Sequence, residues 1–166
     1  MSEGLQITLA SGDAASQLLR LGAALEQEAR GALGDHAFSL AHELGRPSGG
    51  VLVAWLADVP IGLLSFLRVA DELHLLSVVV TEAHLRAGVG MRLVTAAQEL
   101  GRADGAAVFL LEVRRSNLAA RRLYERLGFF CFNVRKAYYP DGEDALELVV
   151  ELEPGQADRF LPAVTP

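Results

Sequence analysis

The chain has 166 residues, 51% of them hydrophobic, one cysteine and a formal net charge of −6. The length suits a single domain over residues 1–166 with a full core; one cysteine excludes an intrachain disulfide, and the acidic balance argues against a nucleic-acid-binding surface. No apolar run is long enough to span a membrane, and Met1 to Leu9 has no basic stretch leading into an apolar core, so a cytoplasmic, unexported protein is expected.

Leu5 to Leu9 alternates apolar and polar residues, as an edge strand does. Ser11-Gly12-Asp13 starts a helix whose apolar stripe runs through Leu18, Leu21, Leu25 and Ala29. Phe38, Leu40, Ala41 and Leu44 suggest a second, short helix before the break at Arg46-Pro47-Ser48-Gly49-Gly50. Val51 to Ala57 and Ile61 to Val69 read as strands joined by Asp58-Val59-Pro60, and Asp71 to Val80 as a third. Leu85-Arg86-Ala87-Gly88-Val89-Gly90-Met91 is then a strand-to-helix turn. Val89, Leu93, Val94, Ala97 and Leu100 recur at helical spacing after it, and Gly105 closes the helix. The apolar run Ala106 to Leu111 suits a central strand buried on both faces, with Glu112 breaking it at its carboxyl end. Ser116 or Asn117 caps a last helix, with Ala120, Leu123, Tyr124 and Leu127 on its buried face and Gly128 at its end. Phe129 to Val134 and Ala145 to Leu152 are closing strands around the turn Tyr138-Tyr139-Pro140-Asp141-Gly142. The expected class is mixed α/β, with helices on both sides of one sheet.

Several residues could carry chemistry. Two glycines opening a helix let a ligand approach the backbone, and the first helical turn offers unpaired N–H groups and partial positive charge. Together these suit a phosphate or pyrophosphate, although the same pair also serves in ordinary turns. Glu112 is either a base near neutral pH or a solvated strand end. Tyr124 either packs or donates a proton to a departing thiolate. His74 shares strand parity with Glu72 on a polar face, as a proton acceptor or a surface residue. Cys131, among Phe129, Phe130 and Phe132, is expected to be a buried structural thiol. His36, His42 and His84 lack metal-ligand spacing, so no metal site is expected.

Together these stretches resemble the GNAT acetyltransferase superfamily. Its glycine turn follows a Gln/Arg-x-x-Gly-x-Gly/Ala pattern, matched by Leu85-Arg86-Ala87-Gly88-Val89-Gly90 except at Leu85. Leu111-Glu112-Val113-Arg114-Arg115-Ser116-Asn117-Leu118-Ala119-Ala120, Leu123-Tyr124-Glu125-Arg126-Leu127-Gly128-Phe129 and Tyr138-Tyr139-Pro140-Asp141-Gly142-Glu143-Asp144-Ala145 resemble the bacterial ribosomal-protein alanine N-acetyltransferases. The likeness covers Glu72 to Leu152, and the residues before it match only in layout.

The resemblance implies a GNAT-type mixed central sheet of about seven strands flanked by about four helices. It implies acetyl-CoA as co-substrate, its pyrophosphate bound by Arg86, Ala87, Gly88, Val89, Gly90 and Met91. Val78, Val79 and Val80 would hold the pantetheine arm through backbone groups, and Asn117 would contact the same arm. Glu112 would be the general base and Tyr124 the general acid. Tyr138 and Tyr139 would line the acceptor's entry, with His74 as a reserve base. The implied acceptor is a protein or peptide N-terminal α-amine, with no nucleic-acid or membrane partner and a monomer or homodimer as the working state. A base is useful because a protonated amine has no free lone pair, and an α-amine titrates at about 8. Acetylation of a small amine such as a polyamine or drug is a rival reading. A non-catalytic acyl-CoA sensor is another, but would lose Glu112 or Tyr124. A nucleotide-binding module would need the Lys-Ser/Thr of a phosphate loop or a third glycine, and neither is present.

Overall fold

A computed structural model describes residues 4–33 and 38–160. The strands are β1 (Leu5–Leu9), β2 (Gly49–Leu56), β3 (Val59–Val69), β4 (Glu72–Val80), β5 (Val108–Arg114), β6 (Phe130–Arg135) and β7 (Ala145–Glu151). The helices are α1 (Gly12–Leu21), α2 (Ala23–Leu33), α3 (Leu40–Leu44), α4 (Val89–Ala103) and α5 (Leu118–Arg126). The seven strands form one mixed sheet in the order β1-β2-β3-β4-β5-β7-β6. The β4–β5 pair is parallel, whereas β1–β2, β2–β3, β5–β7 and β6–β7 are antiparallel. The chain divides into two compact units, Met1–Arg68 with Leu76–Ala97 and Val69–Leu75 with Gln98–Pro166.

In the first unit, the stripe expected as one helix is two. The Gly22 N–H donates to Leu18 O at 2.7 Å and closes α1, while Gly22 O accepts from the Glu26 N–H at 2.8 Å and opens α2. A Cβ at Gly22 would stand 2.5 Å from Leu18 O and 2.7 Å from Leu40 Cδ1, so only glycine permits this close junction. The break shifts the helical phase. Leu18, Leu25 and Ala29 are buried, but Leu21, expected in the same stripe, is 49% exposed. This split brings the described α-helices to five rather than four.

Val51, Val53 and Trp55 alternate onto one face of β2 and cluster with Leu18, Leu25, Phe38, Leu40, Leu63 and Val79. Each such fully buried large side chain contributes about 1.5–3 kcal/mol. On the opposite face Ala54 pairs with Gly62, and a Cβ on Gly62 would meet Leu93 and Val89 of α4 at 3.2 Å. Helices therefore cover both faces here, which is why β2 and β3 read as nearly continuous apolar runs. The β2–β3 turn is Ala57-Asp58 rather than Asp58-Val59-Pro60. Pro60 lies inside β3 opposite Trp55, beside the register shift at Ala54/Trp55 where irregular pairing tolerates its missing N–H.

In the second unit, Glu72–Leu75 of β4 pair with Val108–Leu111 of β5. The strand does not end at Leu111, as expected, but runs on to Arg114. Leu111 and Val113 are buried while Glu112 turns outward, so the carboxylate sits within a strand rather than at its break. Asn117 caps α5, its side-chain oxygen accepting the Ala120 N–H at 3.1 Å, and Gly128 ends the turn at φ 87°. The Tyr124 ring meets Phe129 edge-on at 5.5 Å, and Phe129 packs on Phe109 at 5.5 Å, so α5 covers the Phe109 face of β5. Val108, Leu110 and Val149 define the other face, with Phe130, Phe132 and Phe160 packed against them. Cys131 is exposed rather than buried, its thiol donating to Asn133 O at 3.3 Å. Alternation along β6 turns Phe130 inward and the thiol out.

Candidate active site

The glycine turn follows a short 3-10 segment, Glu82–His84, in the first unit. Thr81 Oγ1 meets His84 Nδ1 at 2.8 Å, and the Glu82 N–H donates to Glu28 at 2.8 Å, which fixes the approach to the turn. Arg86 and Gly88 both take positive φ, 61° and 81°, and a Cβ at Gly88 would meet nothing within 4 Å. Glycine is needed here for the backbone conformation, and the space beside it is open. The Arg92 N–H donates to Gly88 O at 3.1 Å, the first bond of α4. Among the described residues, the N–H groups of Val89, Gly90 and Met91 donate to no backbone carbonyl. Unspent donors, an exposed Arg86 and open space at Gly88 fit a pyrophosphate. Val78, Val79 and Val80 end β4 beyond the stretch that pairs with β5, with Val79 buried and its neighbours half-buried.

The second unit brings several of the candidate side chains together. Glu112 on β5 lies directly opposite Glu147 on β7, which lies opposite Asn133 on β6. Two carboxylates facing each other across strands repel unless something stands between them. Arg135 does so, with Nη1 3.2 Å from Glu112 and Nη2 2.7 Å from Glu147. Asn133 donates its amide N–H to the other oxygen of Glu147. The Glu112 side chain remains 34% exposed.

The loop from β6 to β7 covers this face. Tyr138 faces the Glu112 carboxylate, which, with some burial, pushes the phenol up. Tyr139 is raised by burial first and by the Glu112 charge second. The two rings meet edge-on at 5.3 Å, Arg114 stacks over Tyr139 at 3.9 Å, and Arg135 lies 5.2 Å from the Tyr138 ring. The Gly142 N–H donates to Tyr139 O at 2.8 Å and closes the turn. Arg114 holds Asp141 and Glu143 at 2.8 and 2.9 Å. Asp144 takes Lys136 and Arg115 at 2.9 and 2.8 Å. Hydrogen bonds from Lys136 and the Ala137 N–H, then Arg115, hold the Asp144 carboxyl down at about 2. Hydrogen bonds from Ser116, then Arg114, lower Glu143 in the same way.

Tyr124 belongs to the opposite face. It is 4% exposed, and burial alone pushes its phenol up. Its hydroxyl has no hydrogen-bond partner among the described residues. His74 Nε2 meets Glu72 at 2.9 Å, as their shared parity suggested, and Glu72 is held in turn by Arg159 at 3.2 Å. His74 is thereby tied to the carboxyl-terminal segment. Asn117 spends its side-chain oxygen on its own helix. His36 lies outside the described residues. Among those described, no three His, Cys, Asp or Glu side chains are grouped to hold a metal ion.

Sequence reasoning missed Arg135, Glu147 and Arg114. The alternation of Leu111-Glu112-Val113-Arg114 could have revealed Arg114. No local pattern reveals the other two, which meet Glu112 only through strand register.

A model of the acetyltransferase (GNAT) family matches residues 18–129. An N-alpha-acetyltransferase of Saccharolobus solfataricus is 42% identical over 73 residues, covering 43% of this chain and 44% of that protein. The [ribosomal protein bS18]-alanine N-acetyltransferase of Escherichia coli strain K12 is 39% identical over 87 residues, covering 51% of this chain and 59% of the relative. The chain thus spans about half the length of the curated relatives it matches. A crystal structure of the Escherichia coli ribosomal-protein-S18-alanine N-acetyltransferase superposes with a TM-score of 0.72 at 28% identity, covering 90% of this chain and 94% of that one.

Proposed function

The chain belongs to the GNAT acetyltransferase family, and from that premise we propose that it transfers an acetyl group from acetyl-CoA to the N-terminal α-amine of a protein or peptide, residues 1–166 acting as one catalytic domain. The observation that carries this reading is Glu112, a part-exposed carboxylate on β5 that Arg135 bridges at 3.2 Å and that faces Tyr138 of the β6–β7 loop. The curated relatives named for α-amine and alanine N-acetylation support the choice of acceptor.

Arg86 to Met91 hold the pyrophosphate through backbone N–H groups, the Arg86 charge and the open space at Gly88. Val78, Val79 and Val80 and the Asn117 amide hold the pantetheine arm. The bound co-substrate supplies an acyl group activated as a thioester. Tyr138 and Tyr139 frame the acceptor's entry and orient its amino group toward Glu112. Glu112 takes a proton from that amino group at a carboxylate oxygen, which frees the nitrogen lone pair; such assistance is worth roughly 10²–10⁴-fold. Tyr124 holds the proton for the leaving sulfur at its hydroxyl. A phenol is already protonated at neutral pH, and burial raises this one further. Glu112 stands on one face of β5 and Tyr124 packs on the other, so base and acid act from opposite sides. His74, already engaged by Glu72, is the reserve base.

A coenzyme A release assay against amino-terminal peptides, amino-blocked lysine peptides and polyamines tests the reading. Turnover with free α-amines above the others supports it. Turnover with polyamines alone would move the acceptor to small amines, and no turnover with any amine, despite acetyl-CoA binding, would favour a sensor.

A further inference from the structure

We propose that Arg135 is a positioning residue that holds the opposed carboxylates Glu112 and Glu147 at a single net negative charge, matched to one cationic acceptor amine. The proposal deepens the reading above and rests on Glu112 being the base.

A β-bulge makes the arrangement possible. Phe130 pairs with Val149 and Cys131 with Leu148, but after a register shift Asn133 pairs with Glu147. The inserted residue reverses the parity of β6. Before the bulge Phe130 packs on the Leu110 face and Cys131 turns away from it. After the bulge Asn133 and Arg135 both point to the Glu112–Glu147 face. Without the extra residue, Arg135 would leave on the Cys131 side.

The contacts rank the partners. Arg135 is closer to Glu147 than to Glu112, 2.7 against 3.2 Å, and Glu147 is also held by Asn133. Glu147 therefore anchors the guanidinium, and Arg135 presents its other nitrogen to Glu112. The groups facing Glu112 are Glu147 from β7, Arg135 from β6, and Tyr138 and Tyr139 from the loop. Arg114, on the same face of β5, is spent on Asp141, Glu143 and the Tyr139 ring. Arg135 is thus the cation that balances the pair. Without it, two carboxylates would share one site and bind a proton between them more readily, so that Glu112 is less often free to act as the base. Without Glu147, Arg135 would neutralise Glu112 and leave no net charge to attract an ammonium.

The test is a carbon-detected NMR titration of the Glu112 and Glu147 carboxyls in the ligand-free protein, alongside the pH profile of kcat/KM. Arg135→Gln should raise the Glu112 midpoint and Glu147→Gln should lower it, each by about half a unit or more. The double variant Arg135→Gln/Glu147→Gln should fall between them. Arg135→Lys should restore part of the wild-type value, because an ammonium cannot fork to both carboxylates. The acidic limb of kcat/KM should move with the midpoints. Midpoints that stay put, or move in the same direction in both single variants, overturn the proposal. Glu112→Gln checks the underlying assignment separately. If it keeps the acidic limb, Glu112 is not the base, and the role given to Arg135 falls with it.

Discussion

Replacing Tyr124 with phenylalanine removes one oxygen from a residue that is 4% exposed. The ring keeps its edge-on contact with Phe129. No hydrogen bond is lost, because the hydroxyl has no partner among the described residues. Stability should therefore change by less than about 1 kcal/mol, against about 3–5 kcal/mol when a buried aromatic is cut back to alanine. If the hydroxyl protonates the leaving thiolate, kcat should fall on the order of 10²-fold or more, or about 2.7 kcal/mol of barrier, at tenfold per 1.36 kcal/mol. Acetyl-CoA affinity should barely change, since the lost interaction belongs to the transition state. The assay pairs chemical denaturation with steady-state kinetics at saturating substrates. An acetyl donor with a better thiol leaving group should shrink the defect. The same burial has a pH signature. A phenol raised by folding stabilises fully below its unfolded value of about 10, and that stability is lost as pH rises through the higher folded value. Tyr124→Phe should lose this alkaline sensitivity. Wild-type kcat in Tyr124→Phe, or a large loss of stability, would refute the acid role and mark the hydroxyl as structural.

Four further outcomes follow from the same structure. Gly88→Val should abolish the rise in melting temperature caused by acetyl-CoA, because φ 81° strains a β-branched residue and its side chain would enter the open space proposed to take the pyrophosphate. Gly22→Ala should destabilise by about 1–3 kcal/mol in chemical denaturation, because its Cβ would press on Leu18 O, which is backbone and cannot swing aside. Asp144, held at about 2, should stabilise its loop above its unfolded value near 3.8 and release it as pH falls from there through about 2. Near-ultraviolet circular dichroism of Tyr138 and Tyr139 should follow that release, and Asp144→Asn should show the loosened loop already at neutral pH. Glu112→Gln should lose activity most at low pH, where the acceptor amine is most protonated, while binding acetyl-CoA as the wild type does; isothermal titration and a pH–rate profile check both halves.

What the sequence made legible was local. The Asn117 cap, the Gly105 and Gly128 helix ends and the glycine turn each depend on a few adjacent residues, and all stand where their spacing put them. The break at Gly22 was hidden because an apolar residue recurs every three or four positions straight across it, and the clash that demands glycine involves Leu40, far along the chain. Glu112 looked like a strand end because a charge followed an apolar run. Antiparallel pairing with β7 carries the strand past it, and the charge leaves on the accessible face. Cys131 looked buried because its neighbours are aromatic, yet strand alternation alone turns it out. Arg135 was out of reach for a different reason. Its face is set by a bulge that the register of β6 on β7 reveals and composition does not.

Acetyl transfer to an α-amine with Glu112 as base can be tested in a single reaction. The most direct measurement is one competition reaction holding acetyl-CoA, a peptide with a free amino terminus, the same peptide amino-blocked with an internal lysine, and a polyamine. Mass spectrometry locates the acetyl group, with the wild-type and Glu112→Gln enzymes run side by side at low and neutral pH. The wild type should acetylate the free amino terminus, and Glu112→Gln should lose that activity, most deeply at low pH. Acetyl on the lysine or the polyamine in preference to the terminus, or equal labelling by the two enzymes, would contradict it.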